Sequence, residues 1–177
     1  MSESSPGAQE SYTEVYRACY GAVLRYCRRR RDEESARDAT AETFMVAWRR
    51  WGEVPDPPLP WLYGVARRIL ANHDRGARRQ IRLAERISDE YSRPADGCDT
   101  DGGGRVADAL ATLSERDQEV LRLSAWEELS PREIGQVLGL TAGTAAVRLH
   151  RARLRLGAAL DAWPVVKTPD QVEGSFR

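Results

Sequence analysis

The stretch from Ser130 to Arg155, SPREIGQVLGLTAGTAAVRLHRARLR, leaves this chain little freedom in how it can fold. Ser130 reads as a helix N-cap, Pro131 suits the first helical position, and Glu133 stands three residues after the serine to close a capping box. Ile134, Val137 and Leu138 give that helix one apolar face, and Gly139 supplies the permissive backbone needed to leave it. Thr141 then caps a second helix. Ala145, Leu149, Ala152 and Leu156 face inward at helical spacing, while Arg148, His150, Arg151, Arg153 and Arg155 populate the other sides. The pattern is a helix-turn-helix with a basic second helix, and the small residues Thr144 and Ala146 would let that helix sit deep in a DNA major groove. A helical hairpin with a merely solvated basic face shares the pattern, so the stretch alone leaves both readings open.

Charge along the chain is uneven although the formal net charge is zero. Arg17 to Arg31 holds six arginines and no acid, and Trp61 to Leu83 holds six arginines against Asp74 alone. Asp32 to Asp56 holds seven acids against three arginines, as does Glu85 to Asp108. Alternating blocks of this kind suit a chain that meets nucleic acid on some faces and a protein on others. Cys19, Cys27 and Cys98 form no CxxC pair and no ligand cluster with the two histidines, so neither a metal nor a cofactor is expected. Cys19 and Cys27 read as small core residues in a reduced, cytoplasmic setting, and Cys98 as an exposed thiol. No apolar run approaches the roughly 20 residues that span a bilayer, and no signal peptide is visible, so membrane insertion is not expected.

In chain order, residues 1–11 read as a disordered N-terminus. Tyr12, Val15, Tyr16, Cys19, Val23 and Tyr26 form a helical apolar stripe ending in Arg28 to Arg31, which is either a solvated helix end or a phosphate contact. A second helix over about Glu33 to Trp51 should bury Ala36, Ala39, Thr40, Thr43, Phe44, Ala47, Trp48 and Trp51. Its other face carries Glu34, Asp38, Ala41, Glu42, Met45 and Arg49, which is either a protein-binding surface or plain solvated helix. Gly52 to Pro60 is predicted as a stiff loop because of its four prolines. Trp61 to about Leu83 is predicted as a third helix, with a core tryptophan at its start and a basic stripe beside an apolar side. Residues 84–104 read as a flexible acidic linker marking a domain boundary. Helices follow around Arg105 to Ala111 and after the Ser114 cap, so the second domain spans 105–160, and 161–177 is left as a loose tail. The predicted class is all-α: two small helical domains, 12–83 and 105–160, the second containing the helix-turn-helix.

DEESARDATAETFMVAWRRW followed by PWLYGVARRILANHDRGARRQ resembles the second conserved region of bacterial sigma factors. LATLSERDQEVLRLSAWEELSPREIGQVLGLTAGTAAVRLHRARLRL resembles their fourth region. The absence of a recognisable first or third region between them is similar to the extracytoplasmic-function group of the sigma-70 family. The resemblance implies that Asp38, Glu42, Met45 and Arg49 dock on the β′ clamp helices of core RNA polymerase. It implies that Asp56, Trp61, Arg67, Arg68, Asn72, Arg75 and Arg79 meet the −10 element as double-stranded DNA melts to single strands. Thr141, Thr144, Ala145, Ala146, Arg148, His150 and Arg151 would read the −35 element, with the module resting on the β flap. A cognate anti-sigma factor, no catalytic residue, and a cytoplasmic, nucleoid-associated location are further implications.

This chain carries Ala145, Ala146 and Val147 where relatives commonly show valine, lysine and serine, and Glu128 where many place a glycine. Arg68 stands where the relatives often have an asparagine. A stand-alone helix-turn-helix regulator remains the alternative, although it leaves the Asp38 to Arg82 stretch without a purpose. A protein that keeps the fold only to sequester partners is a third reading, kept open by Ala145 to Val147. No nucleophile, base and orienting set points to an enzyme.

Overall fold

The computed structural model describes residues 6–85 and 104–162, and side chains within 7–76 and 104–162. Seven α-helices run through the described residues: α1 Pro6–Arg28, α2 Glu33–Arg49, α3 Leu59–Glu85, α4 Gly104–Ala111, α5 Glu115–Ala125, α6 Pro131–Leu138 and α7 Ala142–Asp161. A short 3-10 turn, Trp51–Glu53, follows α2.

Several boundaries differ from the sequence expectation. Pro6 opens α1 five residues before the expected end of the disordered segment, because a proline is tolerated in a first helical turn. Gly52 and Glu53 belong to the 3-10 turn, while Leu59 and Pro60 belong to α3, so the irregular segment shortens to residues 54–58. Pro60 sits in the first turn of α3, where its missing N–H breaks no intrahelical bond. Residues 84, 85 and 104 of the expected linker are helical, and α7 reaches into the expected tail at Asp161. The rest of that linker, including Cys98, and residues 163–177 lie outside the described residues.

Local chemistry accounts for the helix ends. The Asp32 carboxylate accepts from the Ser35 N–H, and the Ser114 hydroxyl accepts from the Asp117 N–H. At α6 the capping box is complete: the Ser130 hydroxyl accepts from the Glu133 N–H, and Glu133 Oε2 accepts from the Ser130 N–H at 2.8 Å. These bonds favour the ionised carboxylate, and the Ser130 hydroxyl and N–H together hold Glu133 below its usual range. Gly139 ends α6 at φ +68°, and the Leu140 N–H donates to the Gly135 carbonyl at 2.8 Å. The turn closes tightly enough that a Cβ on Gly135 would stand 2.7 Å from the Leu140 carbonyl oxygen.

The N-terminal half packs α1, α2 and α3 around Val23, Tyr26, Cys27, Ala36, Phe44, Leu62 and Ala66, all buried. Thr40 and Thr43 are buried too, each donating its hydroxyl to the carbonyl four residues earlier at 2.7 Å. Trp48 departs from the expectation of a core position, being 39 % exposed with its ring edge against Tyr12. Tyr16 is also exposed, at the rim of the same aromatic cluster. Cys19 and Cys27 are buried, and burial pushes both thiols up, away from the reactive thiolate.

The C-terminal half packs α4 and α5 on α7, with α6 crossing α7 in the helix-turn-helix. Val120, Leu123, Ile134, Val137, Ala145, Leu149 and Ala152 are its core. The two halves are not strung apart. α3 lies on α6, the α-carbon of Val137 approaches within 3.6 Å of where a Cβ on Gly64 would be, and the buried residues of both halves form one continuous cluster.

Candidate nucleic-acid interface

Three exposed faces carry the residues singled out from the sequence. The first lies on α7. Ala145, Leu149 and Ala152 turn inward, so the helical period sends Val147, Arg151 and Leu154 outward. Thr144, Ala146, His150 and Arg151 are exposed and Arg148 is half-buried, as a groove-reading helix requires. Ala145 is a correction: it is fully buried, so it packs the helix and cannot touch a base edge. Thr141 is committed to capping, its hydroxyl accepting from the Thr144 N–H at 3.2 Å and lying 2.8 Å from the Thr144 hydroxyl.

A groove of about 420 Å3 runs along this face, lined by Asp117, Gly143, Thr144, Val147, Arg148, Arg151 and Arg155. Val147, 51 % exposed, and Arg155 were not among the expected readers. Counting the helical period outward from Ala145 and Leu149 would have found Val147. Arg155 Nη1 donates to the buried Asp117 carboxylate at 2.5 Å, which ties the far end of α7 to α5.

The second face is a stripe on α3. Trp61, Arg68, Asn72 and Arg75 are spaced by seven, four and three residues and therefore share one side of the helix. Arg68, Asn72 and Arg75 are exposed, and Arg75 Nη2 donates to the Asn72 side-chain oxygen at 2.5 Å. Trp61 is half-buried rather than a core residue, and the Arg50 guanidinium lies 5.9 Å from its ring centre. Asp56 is exposed in the 54–58 segment that leads into the tryptophan. Arg67 is exposed but stands about a third of a turn off the stripe, toward Tyr26. The Arg79 side chain lies outside the described residues. A π-face followed by cations is what unstacked bases and their phosphates need.

The third face is acidic and lies on α2. Asp38, Glu42, Met45 and Arg49 recur at steps of four, three and four and are all exposed, Met45 to 52 %. Between α2 and α3 the first three border a groove of about 580 Å3 lined by Ser35, Asp38, Ala41, Glu42, Met45, His73 and Gly76, and Arg49 lies beyond it. His73 Nε2 lies 3.0 Å from Glu42 Oε1, so α3 contributes a side chain to the acidic face. His73 was not anticipated, because the pair is 31 residues apart in sequence.

The arginine run after α1 resolves differently from either expectation. Arg28 pairs with Glu33 at 2.5 Å, Arg29 with Glu127 at 2.7 Å, Arg30 with Glu119 at 3.1 Å, and Arg31 with Asp74. All four are engaged with carboxylates of the chain itself.

Fold and faces together define a two-part helical protein with a helix-turn-helix, basic faces on α3 and α7, and a separate acidic face on α2. Residues 12–80 match the family model described as Sigma-70 region 2, and residues 104–156 match Sigma-70, region 4. The ECF RNA polymerase sigma factor SigL of Mycobacterium tuberculosis is 31% identical over 159 residues, covering 82% of this chain and 89% of that protein. The RNA polymerase sigma-E factor of Streptomyces coelicolor is 30% identical, covering 82% of this chain and 83% of its own length. Among solved structures, CnrH in complex with the cytosolic domain of CnrY superposes with a TM-score of 0.59 at 26% identity, covering 87% of this chain and 90% of that one. The sigma factor RpoE, in complex with the anti-sigma factor NepR from Bartonella quintana, shares the fold with a TM-score of 0.64 at 21% identity over 86% of this chain and 98% of that one. The chain belongs to the sigma-70 family and is an RNA polymerase sigma factor of the extracytoplasmic-function group. A family model over 12–80 sets aside the stand-alone regulator, which has no use for that region. Among the described residues no helix is long and apolar enough to cross a membrane.

Proposed function

We propose that this chain binds core RNA polymerase through the Asp38, Glu42, Met45 and Arg49 face and its His73 wall, docking on the β′ clamp helices, with the C-terminal half on the β flap. The α7 residues Thr144, Ala146, Val147, Arg148, His150 and Arg151 read the −35 duplex. Trp61 stacks on a base of the −10 element as the strands part, and Arg68, Asn72, Arg75 and Arg79 hold the strand that leaves the duplex. Extruding a base costs a few kcal/mol, which stacking and phosphate contacts offset. Asp56 and Arg67 flank this site. Catalysis of RNA synthesis stays with the polymerase, and the chain supplies recognition alone.

The observation that carries this reading is the α3 stripe, where a half-exposed tryptophan precedes exposed Arg68, Asn72 and Arg75 on one side of one helix. A cognate anti-sigma factor, as in the complex formed by RpoE, would act by covering these faces, in the cytoplasm and at the nucleoid. Run-off transcription with core polymerase on a library of promoter fragments tests the reading. Promoter-specific starts that need this protein, and that fall away with Trp61→Ala, are the expected result. Starts undiminished by Trp61→Ala, or no starts and no stable core complex, would overturn it.

A further inference from the structure

The first two turns of α7 present an apolar surface among cations. Ala145 and Leu149 pack inward, while Gly143, Ala146 and Val147 are exposed, Val147 to 51%. None of those three exposed residues has a polar side-chain atom. The Thr144 hydroxyl is held 2.8 Å from that of Thr141, within the helix cap. Val147 lines the groove of about 420 Å3 together with Arg148, Arg151 and Arg155. Arg155 is tied to the buried Asp117 carboxylate at 2.5 Å, whereas Arg148 and Arg151 have no carboxylate partner among the described residues. A single exposed valine is ordinary on a protein surface. This one stands in the open between two free cations, at the end of the second helix that enters a major groove in helix-turn-helix proteins.

We propose that Val147 reads the 5-methyl group of a thymine in the −35 duplex and thereby fixes one base of this chain's promoter preference. The proposal rests on the reading of α7 as the −35 helix given above. In the major groove every base presents donors or acceptors, and thymine alone adds an apolar group. Val147 makes no side-chain hydrogen bond, so over the edge of guanine or adenine it would strip water from polar atoms and give nothing back. Over thymine it buries methyl against methyl. Cytosine carries a hydrogen where thymine carries the methyl, so discrimination between those two comes from that group and from the exchange of O4 for an amino group beside it. Val147 and Arg151 are four residues apart, about 6 Å along the helix axis, and base pairs stack at about 3.4 Å. The thymine therefore lies within roughly two base pairs of the contact that Arg151 makes.

Replacing thymine by uracil removes the methyl and nothing else, which makes the test direct. Holoenzyme formed from core polymerase and the full chain selects from a pool of randomised duplexes, prepared once with thymine and once with uracil in its place, and the bound DNA is sequenced. The same selection is run with Val147→Ala and with Leu154→Ala. Leu154 is 61% exposed on the same side of α7, but it stands two turns further along, past the end that enters the groove.

With the wild-type chain, one thymine of the −35 motif should be enriched about 4-fold less from the uracil pool, the factor expected for burial of one methyl group. Val147→Ala should bring that ratio toward 1 at that position alone, with unchanged helical circular dichroism because the side chain is exposed. Leu154→Ala should keep the wild-type ratio. A −35 motif with no methyl-sensitive thymine, or a sensitivity that survives Val147→Ala, overturns the methyl contact and leaves α7 as the −35 reader. A selection that enriches no −35 motif from either pool overturns both.

Discussion

Replacing Gly135 by alanine tests how tightly the helix-turn-helix is closed. The new Cβ would lie 2.7 Å from the Leu140 carbonyl oxygen, 3.4 Å from the Thr141 carbonyl carbon and 3.5 Å from the Ala142 nitrogen. A carbon resting against a carbonyl oxygen prefers about 3.3–3.6 Å, so the turn must retreat by roughly 0.6 Å or more. The obstacle is backbone, held by the Leu140 N–H bond to Gly135 and by Gly139 in its left-handed conformation, and no side chain can swing away. Overpacking of this kind costs about 3 kcal/mol, and alanine returns about 1 kcal/mol through its better helix propensity. A net loss of about 2 kcal/mol lowers Tm by roughly 4–8 °C for a chain of this length. The control is Gly157→Ala in α7, where nothing lies within 4 Å of the new Cβ and the same substitution should stabilise by up to about 1 kcal/mol. Thermal unfolding followed by circular dichroism reads both, and binding to a −35 duplex should weaken in Gly135→Ala alone. If Gly135→Ala matches wild type, or shifts in the same direction as Gly157→Ala, the turn is looser than described and the reasoning fails.

Trp61→Ala should cost about 1–3 kcal/mol in binding of single-stranded −10 DNA by the holoenzyme, read by fluorescence anisotropy, while leaving core binding unchanged. Arg151→Ala should reduce the slope of log affinity for the −35 duplex against log salt by about 1, whereas Ala145→Ser, at a buried position, should leave that slope unchanged and lower Tm. Glu128 sits at φ +54°, so Glu128→Gly relieves a left-handed residue at the cost of a floppier unfolded chain, and Tm should rise by about 1–2 °C. Burial first, and then the neighbouring carboxylates Glu119 and Glu127, push the Tyr26 and Tyr63 phenols well above their ordinary value. Acids that must stay protonated when folded contribute stability that is complete below about pH 10 and is lost as pH rises beyond it, so alkaline unfolding should flatten in Tyr26→Phe.

The parts of the fold that are legible in the sequence are those fixed by contacts a few residues apart. Ser114, Ser130, Thr141 and Gly139 each mark a helix end because cap and capped N–H or carbonyl are local, and all four sit where expected. The faces of α2 and α7 follow from the helical period for the same reason. Ala145 shows the limit of transferring a motif without that period: the segment reads DNA, yet the residue at its inward position does not. Trp48 shows a different limit, since size and apolarity suggest the core, whereas the core beneath α2 is already filled by Phe44 and Ala47 and leaves the indole to pack on Tyr12 at the rim.

What the sequence hides is the pairing across distance, and Arg28 to Arg31 show why. Four consecutive arginines look like one feature with one purpose. The helix ends at Arg28, and the Arg30 N–H turns back to the Cys27 carbonyl at 2.9 Å, so successive side chains leave in diverging directions. Each then meets a carboxylate on a different element, and those for Arg29 and Arg30 come from the other half of the chain, 98 and 89 residues away. No local rule links those positions. The zero net charge is thus in part a sum of internal pairs, and cations left free of such pairs matter more than the total: exposed Arg68 on α3, and Arg148 and Arg151 along the α7 groove, have no carboxylate partner among the described residues. Counting arginines along the sequence therefore overstates the basic surface near α1 and understates its concentration on the two helices that would meet DNA.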